Sequence, residues 1–232
     1  MGKLFVIEGI DGSGKATQSA LLQQALQQQG AQSRQISFPN YASDSSALVK
    51  MYLAGKFGSH PQDVNPYAAS TFYAVDRYAG YKTDWGPFYD QGGVLVADRY
   101  TTSNAVHQCA KLPQAQWDEY LDWLFDFEYQ KIGVPKPDCV LYLAVEPQTS
   151  GKLMTDRYGG QEEKKDIHER DITYLEQCHT AAEYCARKLG WHRIDCMQGA
   201  TLRGVGEIAQ QVWAAVQQVL IIGLHNGYKE GI

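Results

Sequence analysis

The 232-residue sequence has no cysteines at C-x-x-C spacing, no internal repeat, no apolar run long enough to span a bilayer and no large excess of either charge. Its five cysteines, at 109, 139, 178, 185 and 196, are odd in number and scattered, which argues against a disulfide framework and a zinc site. A reducing, cytoplasmic compartment fits such usage. The histidines at 60, 107, 168, 179, 192 and 225 show no paired ligand spacing. A formal net charge of −5 argues against nucleic acid or an anionic membrane as partner, while a local basic pocket for a small anion stays possible. The first apolar run, residues 4–7, is too short for a signal peptide or a membrane span.

What is present is a chain that is 44% hydrophobic, enough to bury a sizeable core, and one α/β domain over residues 1–232 is the expectation. Short apolar runs at 4–7, 36–38, 94–97 and 140–145 read as strands, each followed by a segment of helical period. A weaker run at Arg193 and Ile194 adds a fifth. This rhythm predicts a mainly parallel five-stranded sheet with helices on both faces. Helical spacing of Val205, Ile208, Ala209, Val212, Trp213 and Val216 predicts a last helix packed on the core, and residues 223–232 read as a frayed tail. The glutamine-rich stretch 23–29 carries Leu21, Leu22, Ala25 and Leu26 on one face before Gly30, the pattern of an amphipathic helix with a glycine stop. Residues 43–46, 55–65 and 158–165 read as loops.

Between the first strand and the first helix stand Gly9, Ile10, Asp11, Gly12, Ser13, Gly14 and Lys15. Glycines at this junction let main-chain N–H groups turn toward an anion, the helix N-terminus adds its positive end, and Lys15 can reach β and γ phosphates. The pattern reads as a cradle for ATP phosphates. One position departs from it: Ala16 stands where a magnesium-binding hydroxyl is expected, and the hydroxyl has moved to Thr17. The metal must therefore lean on other ligands.

Asp98, Arg99 and Tyr100 follow the third strand and should emerge at the carboxyl edge of the sheet, where ligands bind in such folds. Asp98 can hold magnesium and Arg99 can grip a second phosphate, although an Asp–Arg pair can also simply cap the next helix. Over 65–82, Ala68, Phe72, Val75 and Ala79 share a helical face suited to packing, and Tyr73 and Arg77 share another. That aromatic and guanidinium can stack on a base and hydrogen-bond its edge, or stand on a solvated surface.

Phe38, Pro39, Asn40 and Tyr41 after strand two, Asp98, Arg99 and Tyr100 after strand three, and Gly133, Val134, Pro135, Lys136, Pro137 and Asp138 before strand four together resemble the thymidylate kinase pattern. The match runs in order from Lys3 to about Leu189. The resemblance implies the P-loop NTPase fold, transfer of the γ-phosphate of ATP to dTMP to give dTDP with Mg2+ in dTTP biosynthesis, and a homodimer. It places Asp11 near the sugar 3′-hydroxyl and the metal, with Phe38, Pro39 and Tyr41 along the acceptor site. Tyr73 becomes the stacking aromatic, Arg77 the arginine at the base carbonyl, Arg99 the one on the acceptor phosphate, and Asn104 a polar residue near the pyrimidine.

The sequence departs from the family at two further places. His107 stands where many members carry an aromatic residue beneath the deoxyribose, which bears on rejection of a 2′-hydroxyl. Gly12 replaces an arginine that one branch carries in the loop, so charge neutralisation is expected from a mobile lid at about 151–168, with Arg157 leading and Lys164 and Lys165 second. For those two lysines a solvated charge run over 161–166 is an equal alternative. Glu169 resembles an acidic lid residue or caps the helix bearing Ile172, Leu175, Cys178, Ala182 and Cys185. Catalytic roles thus fall on Lys15, Asp98, Arg99 and Arg157, and metal binding on Asp98 and Asp11. A kinase for another (deoxy)nucleotide, a deoxynucleoside kinase, which would need a general base at a hydroxyl, and a regulator without turnover, suggested by Ala16, are the competing readings.

Overall fold

The computed structural model describes residues 2–159, 161 and 166–227, without side-chain detail at 157, 158 and 221–227. Five strands form one sheet: β1 (Lys3–Glu8), β2 (Ser33–Ser37), β3 (Val94–Asp98), β4 (Cys139–Ala144) and β5 (His192–Asp195). Their order is β2-β3-β1-β4-β5, and every neighbouring pair is parallel. The expected sheet is therefore present in full. β2 begins and ends earlier than the apolar run at 36–38 suggested. It is an edge strand in which Ile36 alone is buried, so its polar residues at 33–35 pair with β3 without an apolar signal.

Period-two alternation assigns each central strand to two cores. Phe5 and Ile7 of β1, with Leu141 and Leu143 of β4, pack under α1 (Lys15–Gln28) and the C-terminal helix. On the other face Leu4 and Val6 meet Phe38, Trp85 and Tyr100. Beside them Tyr142 and Ala144 join a cluster that includes Ala105, Leu121 and Cys178. All five cysteines are free and buried, as small core residues would be.

Along the chain after α1 come α2 (Ala47–Leu53), α3 (Pro66–Gly80), α4 (Gly86–Asp90), α5 (Thr101–Cys109) and α6 (Trp117–Phe125). Wider π-type turns, Tyr81–Trp85 and Asp126–Ile132, extend α3 and α6. The chain continues through α7 (Pro147–Tyr158), α8 (Ile172–Lys188), a short hairpin of β6 (Met197–Gln198) and β7 (Thr201–Leu202), and α9 (Val205–Gly227). α9 carries the expected buried positions Ile208, Val212 and Val216, but it runs on through 227, so residues 223–227 are helical and not the frayed tail expected there; residues 228–232 lie outside the described residues.

Two helical faces are corrected. On α3, Ala68 and Val75 point outward, and the inward face carries Ala69, Ser70, Ala74, Asp76 and Arg77. The apolar period misleads here because the inward side of α3 borders a polar cavity and buries charge through pairing instead of through apolar contact. On α8, Tyr174 and Ala181 join Cys178, Ala182 and Cys185 in the core, while Ile172 is 72% exposed beside the helix start.

The segment Gly133 to Asp138 serves the fold. Asp138 accepts from the backbone N–H of Leu4 at 2.8 Å and from Lys3 Nζ at 2.7 Å, tying the entry of β4 to the start of β1. Pro135 O accepts from the Tyr100 hydroxyl at 2.9 Å.

Candidate active site

Parallel register brings the carboxyl ends of three strands together: Ile7 lies opposite Asp98, and Asp98 opposite Ser37. The glycine loop, Arg99 and the Phe38–Pro39 segment, whose peptide is cis, therefore emerge on one edge.

The loop is built as its glycines require. Gly12 and Gly14 have φ of 79° and 86°, in the left-handed region that side chains resist. A Cβ on Gly12 would also lie 2.6 Å from Ser150 O at the start of α7. Lys15 is 7% exposed and folds back under the loop, donating to Gly9 O and Ile10 O at 2.8 Å each. Burial, with Arg99 next, lowers its pKa to about 8 against the pull of Asp11, Asp98 and Glu8. Ala16 and Thr17 are exposed on the first turn of α1, and Thr17 makes no side-chain hydrogen bond among the described residues.

Beside the loop opens a cavity of about 760 Å3. Phe38, Pro39 and Tyr41 line it from the end of β2, Tyr73 and Arg77 from α3, and Asp98 and Arg99 from the end of β3. Asn104 and His107 of α5 and Asp11 of the loop complete the expected set on this wall. The phosphate loop meets the cavity through Asp11 alone. Arg77 is 1% exposed, which overturns the solvated-surface reading of this arginine.

Arg99 stands at the centre. Its φ of 66° is the one positive value among the non-glycine residues described, a strained conformation that turns the side chain off the strand direction. The guanidinium pairs with Asp11, donates to Ser103 Oγ at 3.4 Å and lies 4.0 Å from Glu8. Its Nη1 is also 3.3 Å from His107 Nε2; because guanidinium only donates, that nitrogen is the lone-pair acceptor and His107 carries its proton on Nδ1. Burial opposes ionisation of Asp11, yet Arg99 and Lys15 hold its carboxyl well below the usual range. Asp98, by contrast, makes no side-chain hydrogen bond or ion pair among the described residues and does not cap α5, whose N-cap is Tyr100.

Several site residues carry little or no local sequence signal of their role. Glu8, fully buried, accepts from Gly9 N–H at 2.9 Å, Thr102 Oγ1 at 2.6 Å and Ser103 Oγ at 2.8 Å; its charge at the end of an apolar strand was the available clue. Gln108 lines the cavity with both amide atoms buried and unpaired. His168, given no chemistry by its spacing, stacks on His107 with ring centroids 5.5 Å apart and bonds the Tyr52 hydroxyl at 2.8 Å, which in turn accepts from Lys111 Nζ at 2.7 Å. Long-range stacking of this kind leaves no mark in local spacing.

The segment after α7 is partly described. Arg157 sits on the last turn of α7 with its side chain outside the described residues, and Lys164 and Lys165 lie outside them entirely. Asp166 is inward, on the cavity wall, capping the turn by accepting from the N–H groups of His168 at 2.8 Å and Glu169 at 2.9 Å. It is not part of a solvated run. Glu169 also lines the cavity, and α8 is capped by Asp171 instead.

A cluster of three or more potential metal ligands does not occur among the described residues. The donor set nevertheless fits magnesium, which keeps waters and takes one or two carboxylates plus substrate phosphate oxygens. Asp98 is the open carboxylate at the junction, Asp11 the second, and Glu8 is already used by its three donors.

A parallel sheet of this order with a glycine loop closing onto a helix, and an arginine-lined cavity beside it, defines a P-loop phosphotransferase with room for a second substrate. The chain belongs to the thymidylate kinase family, whose family model matches residues 7–202. It is 32% identical over 185 residues to the thymidylate kinase of Mycobacterium tuberculosis strain H37Rv, covering 78% of this chain and 83% of the relative. It is 30% identical over 151 residues to the human thymidylate kinase, covering 65% of each. In fold it resembles the thymidylate kinase of Candida albicans, with a TM-score of 0.68 at 20% identity over 94% of this chain and 92% of the other.

Proposed function

We propose that the chain transfers the γ-phosphoryl group of ATP to dTMP, giving dTDP and ADP, with the donor phosphates on the glycine loop and the acceptor in the cavity. Membership of the family supports the reaction, and the observation that carries the placement is Arg99, turned by its left-handed backbone to the junction of loop and cavity. A phosphate monoester, with its second pKa near ~6, is largely a dianion at neutral pH, so the nucleophile needs no general base. The work left to the protein is alignment and charge neutralisation in a loose transition state. In this reading Lys15 exchanges the carbonyls of Gly9 and Ile10 for donor phosphate oxygens, and Arg99 exchanges Asp11 for the acceptor phosphate.

Asp98 and Asp11 would hold the magnesium ion, which when bound would neutralise charge on the donor phosphates. The pyrimidine lies between Phe38 and Tyr73 on one side and Arg77 and Asn104 on the other. Arg157 supplies a lid cation. Arg99→Ala tests the placement: dTMP turnover should fall roughly 10³-fold while equilibrium ATP binding persists. Normal turnover in that variant contradicts it.

A further inference from the structure

The apolar stripe of α6, Trp117, Leu121 and Leu124, continues at helical spacing into the following π-type turn, and the next position it reaches is Glu128. A carboxylate at a core position is strongly unfavourable unless its charge and lone pairs are matched. Here they are matched by two residues of the cavity wall. Glu128, with 0% exposure, takes Arg77 Nε on Oε2 at 3.2 Å and Arg77 Nη2 on Oε1. The same Oε1 accepts from Asn104 Nδ2 at 3.4 Å. Arg77 and Asn104 face the cavity, and Glu128 stands behind them out of reach of any ligand.

The consequence is a fixed hydrogen-bonding pattern. Both Asn104 amide hydrogens are used, on Glu128 and on Ser70 O at 3.2 Å. Flipping the amide would press its oxygen against two acceptors, so Oδ1 is left toward the cavity as an acceptor. Arg77 spends its remaining bond to protein on Tyr100 O at 3.4 Å, and its other N–H groups stay donors. The wall thus offers a donor next to an acceptor. A 4-oxopyrimidine presents the complement, an O4 acceptor beside an N3–H donor; a 4-aminopyrimidine presents the reverse at both positions.

We propose that Glu128 is a positioning residue that holds Arg77 as donor and Asn104 as acceptor, and so makes the site select a 4-oxopyrimidine over a 4-aminopyrimidine nucleotide. The inference rests on the placement of the acceptor base against Arg77 and Asn104. In Glu128→Gln the side chain keeps its shape but gains a donor that must face Arg77 or Asn104, and the pattern loosens. The measurement is kcat and KM for dTMP and dCMP, with ATP KM and thermal melting as controls. The expected result is a dTMP KM raised about 10-fold to 100-fold, with ATP KM unchanged and the dTMP to dCMP ratio of kcat/KM reduced by a similar factor.

Should that variant not fold, Glu128→Asp replaces it: charge toward Arg77 is kept, reach to Asn104 is lost, and the ratio should fall likewise. A variant that melts lower but discriminates as the parent does assigns Glu128 a structural role alone and overturns the proposal. A parent protein that does not discriminate dTMP from dCMP overturns the base placement itself, before any variant is made.

Discussion

At the residue scale the stacked pair His107 and His168 has a measurable consequence. Burial, then the Arg99 charge, lowers His107 to about 3, and burial, then His107, moves His168 the same way. Both are neutral in the folded chain at a pH where an unfolded histidine, near 6.5, takes up a proton. The unfolded state therefore binds more protons below that value, and stability falls as pH drops through it. Asp166, pushed up to about 6 by burial and then Asp11, works in the opposite direction below about 6, because there the folded state holds the extra proton. Two histidines against one carboxylate leave a net loss of stability as the pH falls below about 6. Urea midpoints measured from neutral pH downward check this; a flat profile contradicts a buried neutral pair.

At the scale of elements, much of the architecture was legible and the reasons for the exceptions differ. β1, β3 and β4 carry apolar runs because both faces are covered, and the glycine loop needs residues of one kind at fixed positions, so local sequence suffices. β2 hides at the edge, and α3 hides its inward face because Arg77 and Asp76 are buried by pairing. Asp76 accepts from Asn40 N–H at 2.8 Å and Ser45 Oγ at 2.6 Å, partners over thirty positions away that no periodicity reveals. Glu128 and His168 were missed for the same reason, whereas Glu8 did show a clue, its charge at the end of an apolar strand. The residues named from the family resemblance do gather on one cavity, while the lid cations fall where side chains are not described.

The homodimer implied by the family resemblance is a proposal, for which exposed apolar side chains on α2 and α3 offer a candidate surface. Val75 and Tyr78 on α3 and Leu48 and Met51 on α2 are each more than 40% exposed, on helices that pack against each other, and a second copy that covers them removes that apolar surface from water. Light scattering should give twice the 25.9 kDa chain mass, and Val75→Glu should shift it toward one chain. A single-chain mass for the parent at micromolar concentration contradicts this interface.

At the scale of the whole molecule, the sheet edge joins two sites that are each ordinary alone. A glycine loop holds phosphates in many enzymes, and an arginine-lined cavity accepts many anions. In the proposed function, their meeting at Arg99 and Asp11 is what would specify transfer between two phosphates, as opposed to transfer to a hydroxyl. Among the described residues no helix is long and apolar enough to cross a membrane. The measurement that tests transfer between two phosphates most directly is ADP release from ATP across thymidine, dTMP, dCMP and purine nucleoside monophosphates. Release that depends on dTMP, with thymidine and the purine nucleotides inactive, is the predicted result; release with thymidine or with purine monophosphates in preference to dTMP contradicts it.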